Sequence, residues 1–337
     1  MRERSRSPGR PFLARAPQEL RLGLVILAMI VVLTLLRPNF LSLQNILEML
    51  NATAYNGILV AGLLVVLIAG GIDISFAAVA SVAQYTALTV ANATGAGLGE
   101  VVAIAGGIGL ALGLVNGLLV STLGIASIIV TIATQSVIYG VLLTVTRGQD
   151  IFALPDWFSS GLDLLVVNDA EGNAYVLSLQ IVGLVLAFGT TWFLLNRTHF
   201  GRQVFALGGN AEAARRVGFG TMRLNLLVYG YMGLVAGLAS LVQAQYTQSV
   251  SPTALVGREL EVVAAAVLGG ASLEGGSGSV FGAILGLALV VIMKNGLALL
   301  GVSSYWSDFF TGLVIVAAVA AMASRARRRW RDAPGLA

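Results

Sequence analysis

The amino-acid sequence predicts an all-α polytopic membrane protein of about ten transmembrane helices with both termini in the cytoplasm. Three observations carry this. Hydrophobic residues make up 57% of the 337 residues and charged residues 11%, whereas a soluble domain carries about 25% charged residues. Mean hydropathy is +0.88, so the chain lacks the polar surface that water requires, and its solvent is mostly lipid. The third observation is the placement of basic charge. Six arginines fall in the first 21 residues, five in 197–223 and five in 325–331, out of 20 Lys and Arg in all. Each cluster borders a long apolar run, which is the positive-inside pattern of membrane topology and not the footprint of a nucleic-acid surface.

A span needs about 20 mostly apolar residues. Ten candidates qualify at roughly 21–37, 51–70, 74–92, 100–121, 125–146, 178–195, 224–245, 259–273, 278–300 and 306–323. An arginine-rich N-terminus starts inside, and five crossings put 147–177 outside, where Asp150, Asp156, Asp163, Asp169 and Glu171 face only Arg147. A sixth returns the arginine-rich loop 196–223 to the cytoplasm, and four more return the basic tail there. The run at 259–273 is short and opens with Glu259 and Glu261, as a broken or re-entrant helix would. Leu43, Ile46, Leu47 and Leu50 share one helical face, which reads as an exterior interfacial helix. The first apolar run is followed by Arg37-Pro38-Asn39 and not by a small-residue cleavage site, so it reads as an uncleaved span. The organisation is a tail at 1–20, a transmembrane domain at 21–323 and a tail at 324–337, both tails cytoplasmic.

The chain lacks the residues that several chemistries require. It has no cysteine and a single histidine, His199, which removes thiolate and paired-histidine metal sites. Its sole lysine, Lys294, lies between Met293 and Asn295, outside any G-x-x-x-x-G-K-[ST] phosphate loop. The expectation is a non-enzyme that binds no cofactor or metal and no nucleic acid.

Glycines at 109, 113 and 117, and again at 278, 282 and 286, recur every four residues. Each run makes a flat helical strip for a neighbouring helix or a second copy of the chain. Polar groups on apolar runs, namely Ser75, Gln84, Asn116 and Thr131, together with the acids Asp73, Glu259 and Glu261, are the candidates for a solute pathway. The uncharged members suit a neutral, hydroxyl-rich solute, or interhelical hydrogen bonds. In 208–218, Asn210 is an N-cap, Glu212 falls in the first turn, Ala213 and Ala214 are small helix formers and Gly218 is a stop. The result is a short surface helix suited to a partner's groove.

The stretch Glu212–Gly218 resembles the coupling segment of bacterial ABC importer permeases. GGIDIS at 70–75, LVNGLLV at 114–120, GGNAEAARRVG at 208–218 and GRELEVVAAAVLGGASLEGGSGSVFGA at 257–283 resemble the ribose, xylose, arabinose and galactoside permease family, in order, over about 40–323. The family's Pro-Pro-Phe stretch is absent; Ala126–Thr131 stands there. The resemblance implies an inner-membrane permease for a monosaccharide or similar solute. Its partners would be a second permease copy or paralogue, two ATP-binding subunits that use the ATP, and a periplasmic or extracellular solute-binding protein. Asn210, Glu212, Ala213, Ala214 and Gly218 would belong to the ATPase-coupling element. A permease for a branched-chain amino acid or nucleoside, and an ion-coupled secondary transporter, stay open as alternatives.

Overall fold

The computed structural model describes residues 18–160, 163–168, 174–303, 305–306, 309–313 and 316. Its elements run in chain order: α1 (Gln18–Leu36), a 3-10 turn (Pro38–Leu41), α2 (Leu43–Ile68), α3 (Phe76–Thr94), α4 (Leu98–Leu123), α5 (Ser127–Thr146) and a single turn α6 (Asp156–Ser159). A hairpin of β1 (Asp163–Asn168) and β2 (Ala174–Ser178) follows, and then α7 (Leu179–Arg197), α8 (His199–Gly209), α9 (Ala211–Arg216), α10 (Thr221–Thr247), α11 (Glu259–Leu268) and α12 (Val280–Leu299). The hairpin is antiparallel, with Val166 opposite Val176. It lies in the acidic segment that the sequence marks as exterior.

The count of about ten spans is corrected. Among the described residues, seven helices are long and apolar enough to cross a membrane: α1, α2, α4, α5, α7, α10 and α12. The stretch 259–273 yields only the ten-residue α11, about 15 Å of helix against about 30 Å of hydrocarbon. Helix α3 has 19 residues, but Ser81, Gln84, Thr86, Thr89 and Asn92 keep it out of that apolar set. The stretch 306–323 lies largely outside the described residues, as do both tails except for 18–20, which open α1. With seven such helices the even-parity argument lapses, and the placement of both termini in the cytoplasm lapses with it. The proposed interfacial helix at 38–50 is instead the 3-10 turn and the first two turns of α2, capped by Ser42, whose Oγ accepts from Asn45 N at 3.3 Å.

Helix α2 is apolar all round from Gly57 to Ile68, and 83% of its most apolar window is buried, against 11% for α1. A helix without a polar face belongs inside, so α2 is the central post. Leu59, Leu63, Leu64 and Leu67 on it are fully covered.

The tightest packing is between α4 and α10, which run antiparallel. Gly117 lies against Asn225 and Leu226, and Gly113 against Gly233. A Cβ built on Gly233 would stand 2.8 Å from the Gly113 α-carbon, so the two backbones touch with no side chain between them. The second strip works similarly: Gly282 and Gly286 face Gly269 and Ala265 of the α11 end, while Gly278 faces Ile68 and Leu64. Both strips are thus filled from within the chain.

Two stretches interrupt the helices. Residues 69–75 separate α2 from α3, and 269–279 separate α11 from α12. They meet α8 at one end of the bundle, where Gly276 N donates to Ile68 O at 2.9 Å. A side chain at Gly275 would lie 2.6 Å from the Gly70 α-carbon and 2.8 Å from Gly208 O. At the opposite end, Ile151 and Val250 exchange backbone hydrogen bonds of 2.8 and 2.9 Å. The chain therefore passes from Val250 at one end to 269–279 at the other, with only its second half helical.

Candidate functional site

An unwound stretch inside an apolar bundle exposes backbone groups that lipid cannot satisfy. In 69–75 they are satisfied by α5. Ser127 Oγ accepts from Ile72 N at 2.9 Å, and Thr131 Oγ1 lies 3.2 Å from both Ile74 N, from which it accepts, and Ile72 O, to which it donates. Asp73 folds back on its own turn: its Oδ1 accepts from Ser75 N at 2.8 Å and Ser75 Oγ at 2.6 Å. Asn116 Nδ2 of α4 donates to the same hydroxyl at 2.6 Å. Asp73, Ser75, Asn116 and Thr131 are all buried. Four of the seven pathway candidates thus form one polar knot that binds α3, α4 and α5 to the break.

This geometry gives a direct expectation. Thr131→Val keeps the side-chain shape and removes both hydrogen bonds to the break. Leaving buried backbone groups unpaired costs about 1–3 kcal/mol. The detergent-solubilised protein should melt several degrees lower, and Thr131→Ser should restore most of the loss. An unchanged midpoint for Thr131→Val would show that the knot does not hold the break.

The other three candidates lie apart from the knot. Gln84 is buried on α3, with its Oε1 lacking a hydrogen-bond partner among the described residues. Glu259, at the start of the half-helix, accepts from Gln135 Nε2 of α5 at 2.6 Å. Glu261 accepts from Lys294 Nζ of α12 at 2.7 Å, with both side chains largely covered. The structure turns Lys294, the sole lysine, inward to an acid. Ser127 was not singled out. Its signal was its place at the start of an apolar helix, where a hydroxyl is indistinguishable from a cap.

The surface helix at 208–218 is present as α9. Asn210 caps it, its side chain accepting from Ala213 N at 2.9 Å, and Gly218 ends it with φ of +90°. Ala214 is buried, while Glu212, Ala213 and Arg216 are exposed and Val217 is 70% exposed. Glu212 and Arg216 form an ion pair one turn apart. An exposed pair of this kind contributes little stability. The helix therefore offers a shallow face with a central alanine, a valine and two opposite charges.

Comparison with known proteins places these features in context. Residues 45–319 match the family described as branched-chain amino acid transport system / permease component. The chain is similar to the ribose import permease protein RbsC of Escherichia coli (strain K12), at 33% identity over 88% of this chain and 91% of that protein. It is similar to RbsC of Bacillus subtilis (strain 168), at 37% identity over 88% and 90%. It is also similar to the L-arabinose ABC transporter permease protein AraH of Azospirillum brasilense, at 34% identity over 88% and 85%. No solved structure matches.

Proposed function

We propose, for a chain that belongs to the branched-chain amino acid transport system / permease component family, that the solute carried is a monosaccharide or similar hydroxylated molecule. The chain is the permease component of an ABC importer and a multi-pass inner-membrane protein. It is the non-catalytic membrane subunit; ATP hydrolysis belongs to ATP-binding subunits, and a solute-binding protein delivers the cargo. The observation that carries the sugar reading is the match to ribose and arabinose permeases over 88% of the chain.

In finer detail, two ATP-binding subunits dock on a pair of permease copies through α9. Ala213 sits at the centre of each contact, and Asn210, Glu212, Ala214 and Gly218 fix the helix that bears it. Binding and hydrolysis of ATP by those subunits move α9, and the permease alternates between outward and inward access.

The test is uptake of radiolabelled ribose and arabinose into proteoliposomes. Accumulation is expected only when the permease, its ATP-binding subunits and its solute-binding protein are all present with ATP. Uptake by the permease alone, or uptake driven by a proton or sodium gradient, would overturn the reading. The family's description favours one further solute class, so leucine is the counter-probe: accumulation of leucine and of neither pentose would transfer the assignment to branched-chain amino acids.

A further inference from the structure

A cavity of about 400 Å³ lies between α8 and the start of α10. Small-molecule sites span about 300–1,000 Å³. Phe200 and Gln203 of α8 line it, with Phe219 from the connecting turn and Arg223, Leu224 and Leu227 of α10. The lining is divided by chemistry. Arg223 and Gln203 supply polar groups, and the other four are apolar. Arg223 and Leu227 share one face of α10, with Arg223 one turn nearer the helix start. The cationic part therefore lies toward the end of the bundle and the apolar part toward the body of a membrane-crossing helix.

Three features indicate what the cavity holds. The first is depth. Trp192 near the end of α7 is exposed, and the Arg197 guanidinium lies 5.3 Å from its ring centroid. Tryptophan and arginine in that arrangement mark the headgroup level of a bilayer, and Phe200 follows three residues on. Helix α8 buries Gly201, Val204 and Leu207 on one face and exposes His199 and Arg202, as a helix lying at the interface does. The second is charge. Residues 197–223 carry five arginines against a single acid, Glu212, and Glu212 is taken by Arg216. Arg223 is exposed and Gln203 is half-buried, and neither engages another group among the described residues. Arg223 also stands in the first turn of α10, where the helix dipole favours an anion over a cation. The third is access. Leu227 is exposed on the flank of α10, so the apolar part of the cavity is reached from the lipid side.

We propose that this cavity seats the head of one anionic phospholipid from the surrounding leaflet. Arg223 and Gln203 donate to its phosphate oxygens, and Phe200, Phe219, Leu224 and Leu227 hold the glycerol and the first carbons of an acyl chain. Basic pockets between membrane helices take anionic headgroups in this manner. A soluble anion would engage the first pair and leave the apolar set unfilled. Gly218, which ends α9, borders the same cavity, so a seated lipid steadies the end of α9. The proposal does not depend on which solute is carried.

The test is a lipid titration of the full-length permease in a neutral detergent. Phosphatidylglycerol or phosphatidylcholine with the same acyl chains is added, and bound lipid is counted by native mass spectrometry. One phosphatidylglycerol should bind about ten-fold more tightly than phosphatidylcholine, the equivalent of one charge-assisted hydrogen bond. Arg223→Gln should remove that preference, Arg223→Lys should keep part of it, and Leu227→Gln should weaken both lipids. Arg202→Gln and Arg215→Gln change exposed arginines that do not line the cavity, and each should alter the preference by no more than about two-fold. Equal losses from Arg202→Gln and Arg223→Gln would show diffuse attraction to a basic surface, and the site would fall. Displacement of phosphatidylglycerol by excess inorganic phosphate would assign the cavity to a soluble anion. Expulsion of the lipid when the ATP-binding subunits dock would assign it to their interface. Either result overturns the lipid reading. If Arg223→Gln does not fold, Leu227→Gln decides: unchanged binding of both lipids by that variant would empty the cavity of lipid.

Discussion

Gly113→Leu is expected to leave no folded permease in the membrane. Helices α4 and α10 meet backbone to backbone: a Cβ on Gly113 would lie 3.0 Å from the Gly233 α-carbon, and one on Gly237 would lie 3.3 Å from the Gly109 α-carbon. Side chains that meet an overpacked neighbour can rotate away, and ordinary overpacking costs about 1–3 kcal/mol. Main chain has no such freedom. Four further carbons would force the helices apart along their length and remove the close contact that holds them together in lipid. With total stabilities of about 5–15 kcal/mol, that loss decides whether the fold exists. Gly107 lies on the same helix with nothing within 4 Å of its would-be Cβ, and Gly107→Leu should be tolerated. The measurement is the monodisperse yield and thermal midpoint of each variant in detergent, with Gly113→Ala falling between. Equal midpoints for Gly113→Leu and Gly107→Leu would refute the seam.

Ala213→Trp should do the converse, sparing the fold and abolishing uptake. Ala213 is exposed on α9 and its side chain supports nothing inside the permease. A substitution at such a site stays within about 0.5 kcal/mol in stability. If α9 enters a groove on the ATP-binding subunit, an indole at its centre replaces a methyl group and blocks entry. Truncation at the centre of an interface costs 2 kcal/mol or more, and obstruction there is expected to lower association by at least about 30-fold. Co-purification of the ATP-binding subunits and ATP-driven uptake should fail together, while the thermal midpoint stays put. Retention of the ATP-binding subunits by Ala213→Trp would remove α9 from the interface.

Much of this architecture was legible in the sequence wherever the cause was local. Asn210 and Gly218 mark the ends of α9 because cap chemistry is decided within one turn. The glycine strips were visible as faces, but their occupants were not, because Gly233 and Gly237 stand more than a hundred residues from Gly113. The span count failed for a related reason. Hydropathy averages over a window, so it counts the ten-residue α11 and the polar-interrupted α3 as whole crossings. Asp73, Ser75, Asn116 and Thr131 were conspicuous as polar residues in apolar surroundings. Their shared task is a matter of tertiary pairing: Thr131 and Ile74 lie 57 positions apart.

The meeting of Gly70, Gly208 and Gly275 has a mechanical consequence. Most contacts between moving parts of a protein pass through flexible side chains, which absorb a small push by changing rotamer. Here main chain bears directly on main chain, so the joint has almost no play. A displacement delivered to α8 and α9 reaches both interrupted stretches at once and nearly undiminished. One of those stretches leads into α3 and the other joins α11 to α12. A push on α8 would therefore be felt at both interrupted stretches together.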